Sequence, residues 1–250
     1  MTLIKPKKIR ADQLLVDRGL AETRSKASAF ILAGKVFSGD KKINKPGDFL
    51  LPDSLLELKD KDHPWVSRGG IKLAHALKIF NFTATNKICL DLGASTGGFT
   101  DVLLTHGAKK IYAVDVGYGQ LAWKLRDNPR VIIMEKTNAR YLQSKNFSEK
   151  IDLITCDASF IGLRTILPAS LHLVGNEAWL IALIKPQFEV GKKDLGKGGI
   201  VTDPVLHQKV CDTIWKWVEE QGWNVMDIIE SPILGAEGNK EFLLGAYKNR

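Results

Sequence analysis

Asp91, Asp115, Asp157 and Lys185 each close an apolar, strand-like run. The runs are Lys87-Ile-Cys-Leu-Asp91, Lys110-Ile-Tyr-Ala-Val-Asp115, Ile151-Asp-Leu-Ile-Thr-Cys-Asp157 and Trp179-Leu-Ile-Ala-Leu-Ile-Lys185. In an open parallel sheet, ligands sit beyond the carboxyl ends of the strands, so these four side chains would line one crevice. A lysine there accepts a hydroxyl proton once desolvation or neighbouring cations have lowered its basicity. Lys185 precedes Pro186, which puts its stem in the sheet and its amine at the crevice. Asp157 would orient that amine or steer a cationic ligand. Glu241 opens another strand-like run, Glu241-Phe-Leu-Leu-Gly-Ala-Tyr247. If that strand runs backward, its beginning lies at the same edge. Lys72, on a helix before the first strand, completes the set from the flank. Taken singly, each residue reads as half of an ordinary strand-end ion pair.

A binding signal accompanies these groups. Asp91-Leu-Gly-Ala-Ser-Thr-Gly-Gly-Phe99 sits at a strand-to-helix turn, where glycines admit close backbone approach and the helix start offers free N–H donors. It is neither the GxGxxG fingerprint of dinucleotide sites nor a Gly-Lys-Ser/Thr phosphate loop. Asp91 would pair with a cationic amino-acid moiety, and Asp115 would accept both hydroxyls of an adenosine ribose. An NAD ribose would suit Asp115 equally well.

The elements that must position these residues are strands alternating with helices from Trp65 onward. Val131-Ile-Ile-Met134 adds a strand, Val205–Gln221 a long helix, and Gly70-Ile-Lys-Leu-Ala-His-Ala-Leu77 the helix bearing Lys72. Asn224-Val-Met-Asp-Ile-Ile-Glu230 and the run from Glu241 are joined by a short connection, which predicts an antiparallel hairpin. Residues 1–58 form a separate small α/β module. Its two short helices end at Gly19 and Gly34, the second capped by Thr23 or Ser25, and turns follow at Ser38-Gly-Asp40 and Lys45-Pro-Gly-Asp48. The polar stretch 59–64 is the expected linker, with the second domain spanning 65–250.

Charge separates the two regions. Residues 1–50 hold 11 Lys/Arg against 5 Asp/Glu, whereas residues 51–250 hold 25 against 23. An attached polyanion-binding module and a basic solvated face both account for that excess. Its candidate phosphate contacts are Arg10, Arg18, Arg24, Lys26, Lys35, Lys41 and Lys42, with Arg68 near the junction. Cys89, Cys156 and Cys211 form no close pair, and the five histidines share no metal spacing, so neither a disulfide framework nor a metal site is expected. The first ten residues lack the apolar core of a signal peptide, and no apolar run approaches the roughly 20 residues that span a bilayer. A cytoplasmic protein without a membrane role is the expectation.

The Gly-rich turn with its two strand-end acids resembles the S-adenosylmethionine-dependent methyltransferase fold. The resemblance implies that Asp91, Gly93, Ser95, Gly97 and Phe99 hold the methionine part, Asp115 the ribose, and Asn138 and Ala139 the adenine, with Asp157 beside the cofactor. Lys72, Asp157, Lys185 and Glu241 match the order and spacing of the Lys-Asp-Lys-Glu tetrad of FtsJ-like ribose 2′-O-methyltransferases. Ser67-Arg-Gly-Gly-Ile-Lys-Leu73, Lys185-Pro-Gln-Phe-Glu-Val-Gly191, Lys197-Gly-Gly-Ile-Val201 and Gly235-Ala-Glu-Gly-Asn-Lys-Glu-Phe242 look like the TlyA family. Arg10-Ala-Asp, Arg24-Ser-Lys-Ala and Gly34-Lys-Val are similar to the RNA-binding module named after ribosomal protein S4, with Phe37-Ser-Gly-Asp40 where that module usually has Val-Asn-Gly. The implied architecture is α/β: a Rossmann-like, seven-stranded methyltransferase fold with the last strand antiparallel, behind a small N-terminal α/β RNA-binding domain. The implied activity is ribose 2′-O-methylation of cytidine in ribosomal RNA, free or in ribosomal subunits. Phe188 and the 192–199 loop would suit a lid over the target nucleotide, and a flexible surface connection accounts for the loop equally well. Two other classes stay open: a non-catalytic RNA-binding or ribosome-assembly factor, and a membrane-lytic protein, since some TlyA members carry the label hemolysin.

Overall fold

The computed structural model describes residues 8–58 and 63–249; most of the expected linker (59–62), the first seven residues and Arg250 lie outside the described residues. The chain divides into two compact units, Met1–Pro64 and Trp65–Arg250.

The N-terminal unit packs helices Ala11–Asp17 and Arg24–Leu32 over short strands. Ile9–Arg10 pairs with Phe49–Leu50, and Val36–Ser38 pairs with both Lys41–Lys42 and Glu57–Leu58. Leu14 and Leu15 point inward with Ala27, Ile31, Val36 and Ile43. Thr23 caps the second helix, its Oγ1 accepting the Lys26 N–H at 3.2 Å. Asp12 is buried and held from two sides: Arg10 donates to both of its oxygens at 3.0 and 2.8 Å, and Arg24 donates to Oδ2 at 3.0 Å. These bonds, Arg10's foremost, pull the Asp12 carboxyl down to about 2.

The C-terminal unit is a seven-stranded sheet. Its strands are β1 (Ile88–Leu92), β2 (Lys110–Val114), β3 (Val131–Met134), β4 (Ile151–Cys156), β5 (Val174–Ile184), β6 (Asn224–Glu230) and β7 (Phe242–Lys248). Their spatial order is β6-β7-β5-β4-β1-β2-β3. Strands β1 to β5 are parallel, whereas β7 runs antiparallel to both β5 and β6. Every residue of β1 is buried, which is why it reads as a continuous apolar run rather than an alternating one. Helices α1 (Gly69–Ile79) and α2 (Gly98–Thr105) contribute Leu73, Ala76, Leu77, Val102 and Leu103 to one apolar layer. Helix α3 (Pro204–Glu220) contributes Val210, Cys211, Ile214 and Val218 to the other, the spacing of a single helical stripe. Asp203 caps α3, its Oδ1 accepting the Val205 N–H at 2.8 Å, and Pro204 follows at the first helical position.

Strand β5 begins at Val174, earlier than the apolar run from Trp179 indicates. Gly175-Asn-Glu177 interrupts the hydrophobic pattern, and the register with β4 shifts between Val174 and Trp179. At its other end Ile184 pairs with Phe242, so Lys185 and Glu241 are next to each other across the β5–β7 edge.

Candidate active site

Two ion pairs occupy the carboxyl edge of the sheet. Lys72, on the buried face of α1, donates to Glu241 Oε2 at 2.5 Å, and both side chains are buried. Lys185 Nζ lies 2.7 Å from Asp157 Oδ1. That contact is an ion pair without hydrogen-bond alignment, and the Oδ1 atom is buried with no donor aimed at it. The hydrogen bonds of Lys185 go instead to Ser159 Oγ at 2.8 Å and the Asp157 carbonyl at 3.3 Å. All four charged groups line one cavity of about 370 Å³, together with Ser67, Arg68, Gln187, Phe188 and Gly235. Gly235 has a steric role: a Cβ there would overlap the Glu241 carboxylate.

A second cavity, of about 490 Å³, adjoins the first and holds Asp115, Asn138, Ala139 and Phe160. Gly93, Ser95, Asp157 and Ser159 line both cavities and form their common wall. Asp115 Oδ2 accepts the Ser95 N–H at 2.8 Å and Oδ1 the Gly117 N–H at 2.7 Å, which ties the β2 exit to the Gly-rich turn. Asn138 Oδ1 accepts the Arg140 N–H at 3.1 Å and so shapes the turn after β3. Gly93 has φ of +78°, and a Cβ there would stand 2.8 Å from Ala158 Cα; glycine lets the turn close against the β4 exit. Phe99 lines the first cavity from α2.

Two residues expected at the crevice are elsewhere. Asp91 lines neither cavity. It is fully buried inside β1, with Oδ2 accepting from Thr100 Oγ1 at 2.6 Å and Oδ1 from Thr155 Oγ1 at 3.1 Å. Burial raises its carboxyl to about 6 against the opposing pull of these hydroxyls. Asp91 therefore fastens the start of α2 and the β4 strand to β1. Gly97, the N-cap of α2, is packed against Leu121 and Leu125 instead of facing a cavity.

Ser159 was not singled out by the sequence, although it stands three residues beyond the β4 terminus at the same edge. Gln187 was missed too; it lines the first cavity with a buried Oε1 lacking a partner. Phe160 has a positive φ of 65° and is 91% exposed, and its ring lies 5.3 Å from that of Phe188. Segments 192–194 and 197–199 are short 3₁₀ turns.

The basic candidates of the N-terminal unit are partly engaged. Arg10 and Arg24 hold Asp12, Arg18 donates to the Pro52 carbonyl at 2.5 Å, and Lys26 pairs with Glu22 at 2.5 Å. Arg10, Arg24 and Lys26 keep about half their side-chain surface exposed, and Lys41 and Lys42 are exposed. Arg68 belongs to the C-terminal unit, where it donates to the Leu234 carbonyl at 3.1 Å on the cavity wall. Among the described residues, no helix is long and apolar enough to cross a membrane.

Comparison with known proteins adds lineage to this geometry. The family model described as FtsJ-like methyltransferase matches residues 65–248, and the S4 domain model matches residues 9–56. The chain is 48% identical over 239 residues to YqxC of Bacillus subtilis (strain 168), a candidate rRNA methyltransferase, covering 95% of this chain and 85% of that one. It is 44% identical over 239 residues to the 16S/23S rRNA (cytidine-2′-O)-methyltransferase TlyA of Mycobacterium tuberculosis, covering 95% and 89%. A solved structure of a candidate hemolysin from Streptococcus thermophilus matches with a TM-score of 0.76 at 42% identity, covering 98% of this chain and 90% of that one.

Proposed function

From the premise that this chain belongs to the FtsJ-like methyltransferase family and carries an S4 domain, we propose that it methylates the ribose 2′-hydroxyl of cytidine in ribosomal RNA, using S-adenosylmethionine. The observation that carries this reading is the meeting of Lys72, Asp157, Lys185 and Glu241 in one cavity, which shares a wall with a second, nucleoside-sized one.

The second cavity fits the cofactor chemically. Asp115 offers carboxylate oxygens to ribose hydroxyls, Asn138 and Ala139 border the place for adenine, and Gly93 and Ser95 leave room at the common wall. S-adenosylmethionine, when bound, supplies a sulfonium methyl group open to in-line attack. Asp157, which lines both cavities, would hold the cationic end. Asp91 is not a ligand in this reading; through Thr100 and Thr155 it keeps the Gly-rich turn in place.

In the first cavity, Lys185 Nζ takes the 2′-hydroxyl proton as general base, so that the ribose oxygen becomes the nucleophile. Asp157 and Ser159 fix the direction of that amine. The Lys72–Glu241 pair holds the ribose in position and adds no net charge to the pocket. The S4 domain grips the RNA backbone through its basic face, and the reaction takes place where ribosomes are, in the cytoplasm. Labelled methyl transfer to purified small subunits, large subunits and free rRNA tests the proposal, with Lys185→Ala alongside. Label on one of these substrates, lost in the variant, is expected. Cofactor binding without any transfer would favour an RNA-binding assembly factor instead.

A further inference from the structure

We propose that Ser159 is the proton outlet of Lys185. It is a positioning residue whose hydroxyl relays to solvent the proton that Lys185 collects from the ribose. This inference rests on the assignment of Lys185 as proton acceptor.

Among the described residues, a small set of oxygens surrounds Nζ. There are three: Asp157 Oδ1, the Asp157 carbonyl and Ser159 Oγ, at 2.7, 3.3 and 2.8 Å. After each methyl transfer Lys185 is an ammonium and must lose a proton before the next cycle. A carbonyl oxygen cannot carry that proton away. Asp157 Oδ1 is buried and has no proton of its own to hand on to solvent, so Asp157 serves as counter-ion and not as carrier. A hydroxyl can accept one proton while releasing another, and only Ser159 among the three partners is a hydroxyl. Its position suits the task. Lys185 is buried, whereas Ser159 is exposed on the wall common to both cavities. Among the described residues its hydroxyl makes no other hydrogen bond, so its own proton is free to point at water. In the relay, a Lys185 N–H bond breaks as Ser159 Oγ gains that proton, and the original Ser159 O–H proton passes to a water molecule. Lys185 is left as the neutral amine and Ser159 is unchanged.

The test compares Ser159→Ala and Ser159→Thr with wild type in single-substrate turnover on ribosomal RNA across the neutral to alkaline range. Calorimetric S-adenosylmethionine affinity is measured on each protein as a check on folding. Ser159→Ala is expected to lower kcat by about tenfold or more at neutral pH, less than the about hundredfold a general base itself contributes. The deficit should shrink as pH rises and hydroxide replaces the relay, with KM for RNA and cofactor affinity within about twofold of wild type. Ser159→Thr, which restores a hydroxyl, should recover most of kcat. Overturning results are an unchanged kcat in Ser159→Ala, or a deficit that is the same at every pH and is not rescued by threonine. A Lys185→Ala control separates the two layers. If that variant is inactive while Ser159→Ala is normal, the relay alone falls; if Lys185→Ala turns over normally, the base assignment falls and the relay with it.

Discussion

Removing Lys72 should damage the fold as well as the chemistry, and a double variant should repair only the fold. Lys72 and Glu241 side chains are 9% and 3% exposed and 2.5 Å apart. In Lys72→Met the Glu241 carboxylate stays buried without its cation, which costs about 3–5 kcal/mol. For a unit of this size each kcal/mol lowers Tm by about 2–4 °C, so the variant should melt roughly 6–20 °C lower. Lys72→Met/Glu241→Met replaces the pair with apolar chains of similar volume, and its stability should return to within about 1 kcal/mol of wild type. Neither variant should transfer methyl groups. All six tryptophans lie between Trp65 and Trp223, so tryptophan fluorescence in urea follows the C-terminal unit alone. A single-variant cost under about 1 kcal/mol, the value of an exposed pair, would refute the reasoning. So would a double variant whose loss is the sum of the two single losses.

Gly235→Ala should reduce turnover by about a hundredfold, because the added methyl displaces the Glu241 carboxylate. Unchanged kcat in a folded variant would show that the carboxylate's place is uncritical. Asp12, depressed from 3.8 to about 2 when folded, stabilises the N-terminal unit above pH 4, and that support fades as pH falls towards 2. In Asp12→Asn this acid loss should flatten, as followed by the amide signals of Ala11–Asp17; an unaltered acid limb would contradict it. Asp91 has the opposite sign, since a carboxyl raised from 3.8 to about 6 binds its proton more tightly in the folded state. Its contribution therefore falls as pH rises from about 4 to about 6, and Asp91→Asn should gain on wild type across that window. Urea unfolding at intervals of pH checks this, and a difference that does not vary with pH would count against it.

The sheet was legible because its central strands are buried on both faces and announce themselves as unbroken apolar runs. The strand-end rule then placed Asp115, Asp157 and Lys185 at one edge, and the antiparallel β7 brought in Glu241 through the Ile184–Phe242 pairing. The same rule misplaced Asp91, since it names the edge but not the direction of a side chain. Asp91 lies within β1, where Thr100 and Thr155 hydroxyls satisfy it, and Leu92 follows it in the strand. Ser159 left no trace in periodicity because it lies in a loop, where only the folded path sets which side chain meets Lys185. The early start of β5 was hidden by Gly175-Asn-Glu177, a polar interruption that the bulged register with β4 accommodates. In the N-terminal unit, charge counts located the basic residues but not the work of Arg10 and Arg24 on Asp12, which depends on a buried carboxylate that composition does not reveal.

The position of the transferred methyl group tests the central claim most directly. Ribosomal RNA treated with the protein and S-adenosylmethionine would be digested to nucleosides and its modified cytidine identified by mass spectrometry. The expected product carries the methyl on the ribose, absent with Lys185→Ala, and its phosphodiester bond resists alkali. A methyl group on the cytosine ring, or 2′-O-methylcytidine formed equally well by Lys185→Ala, would contradict the account.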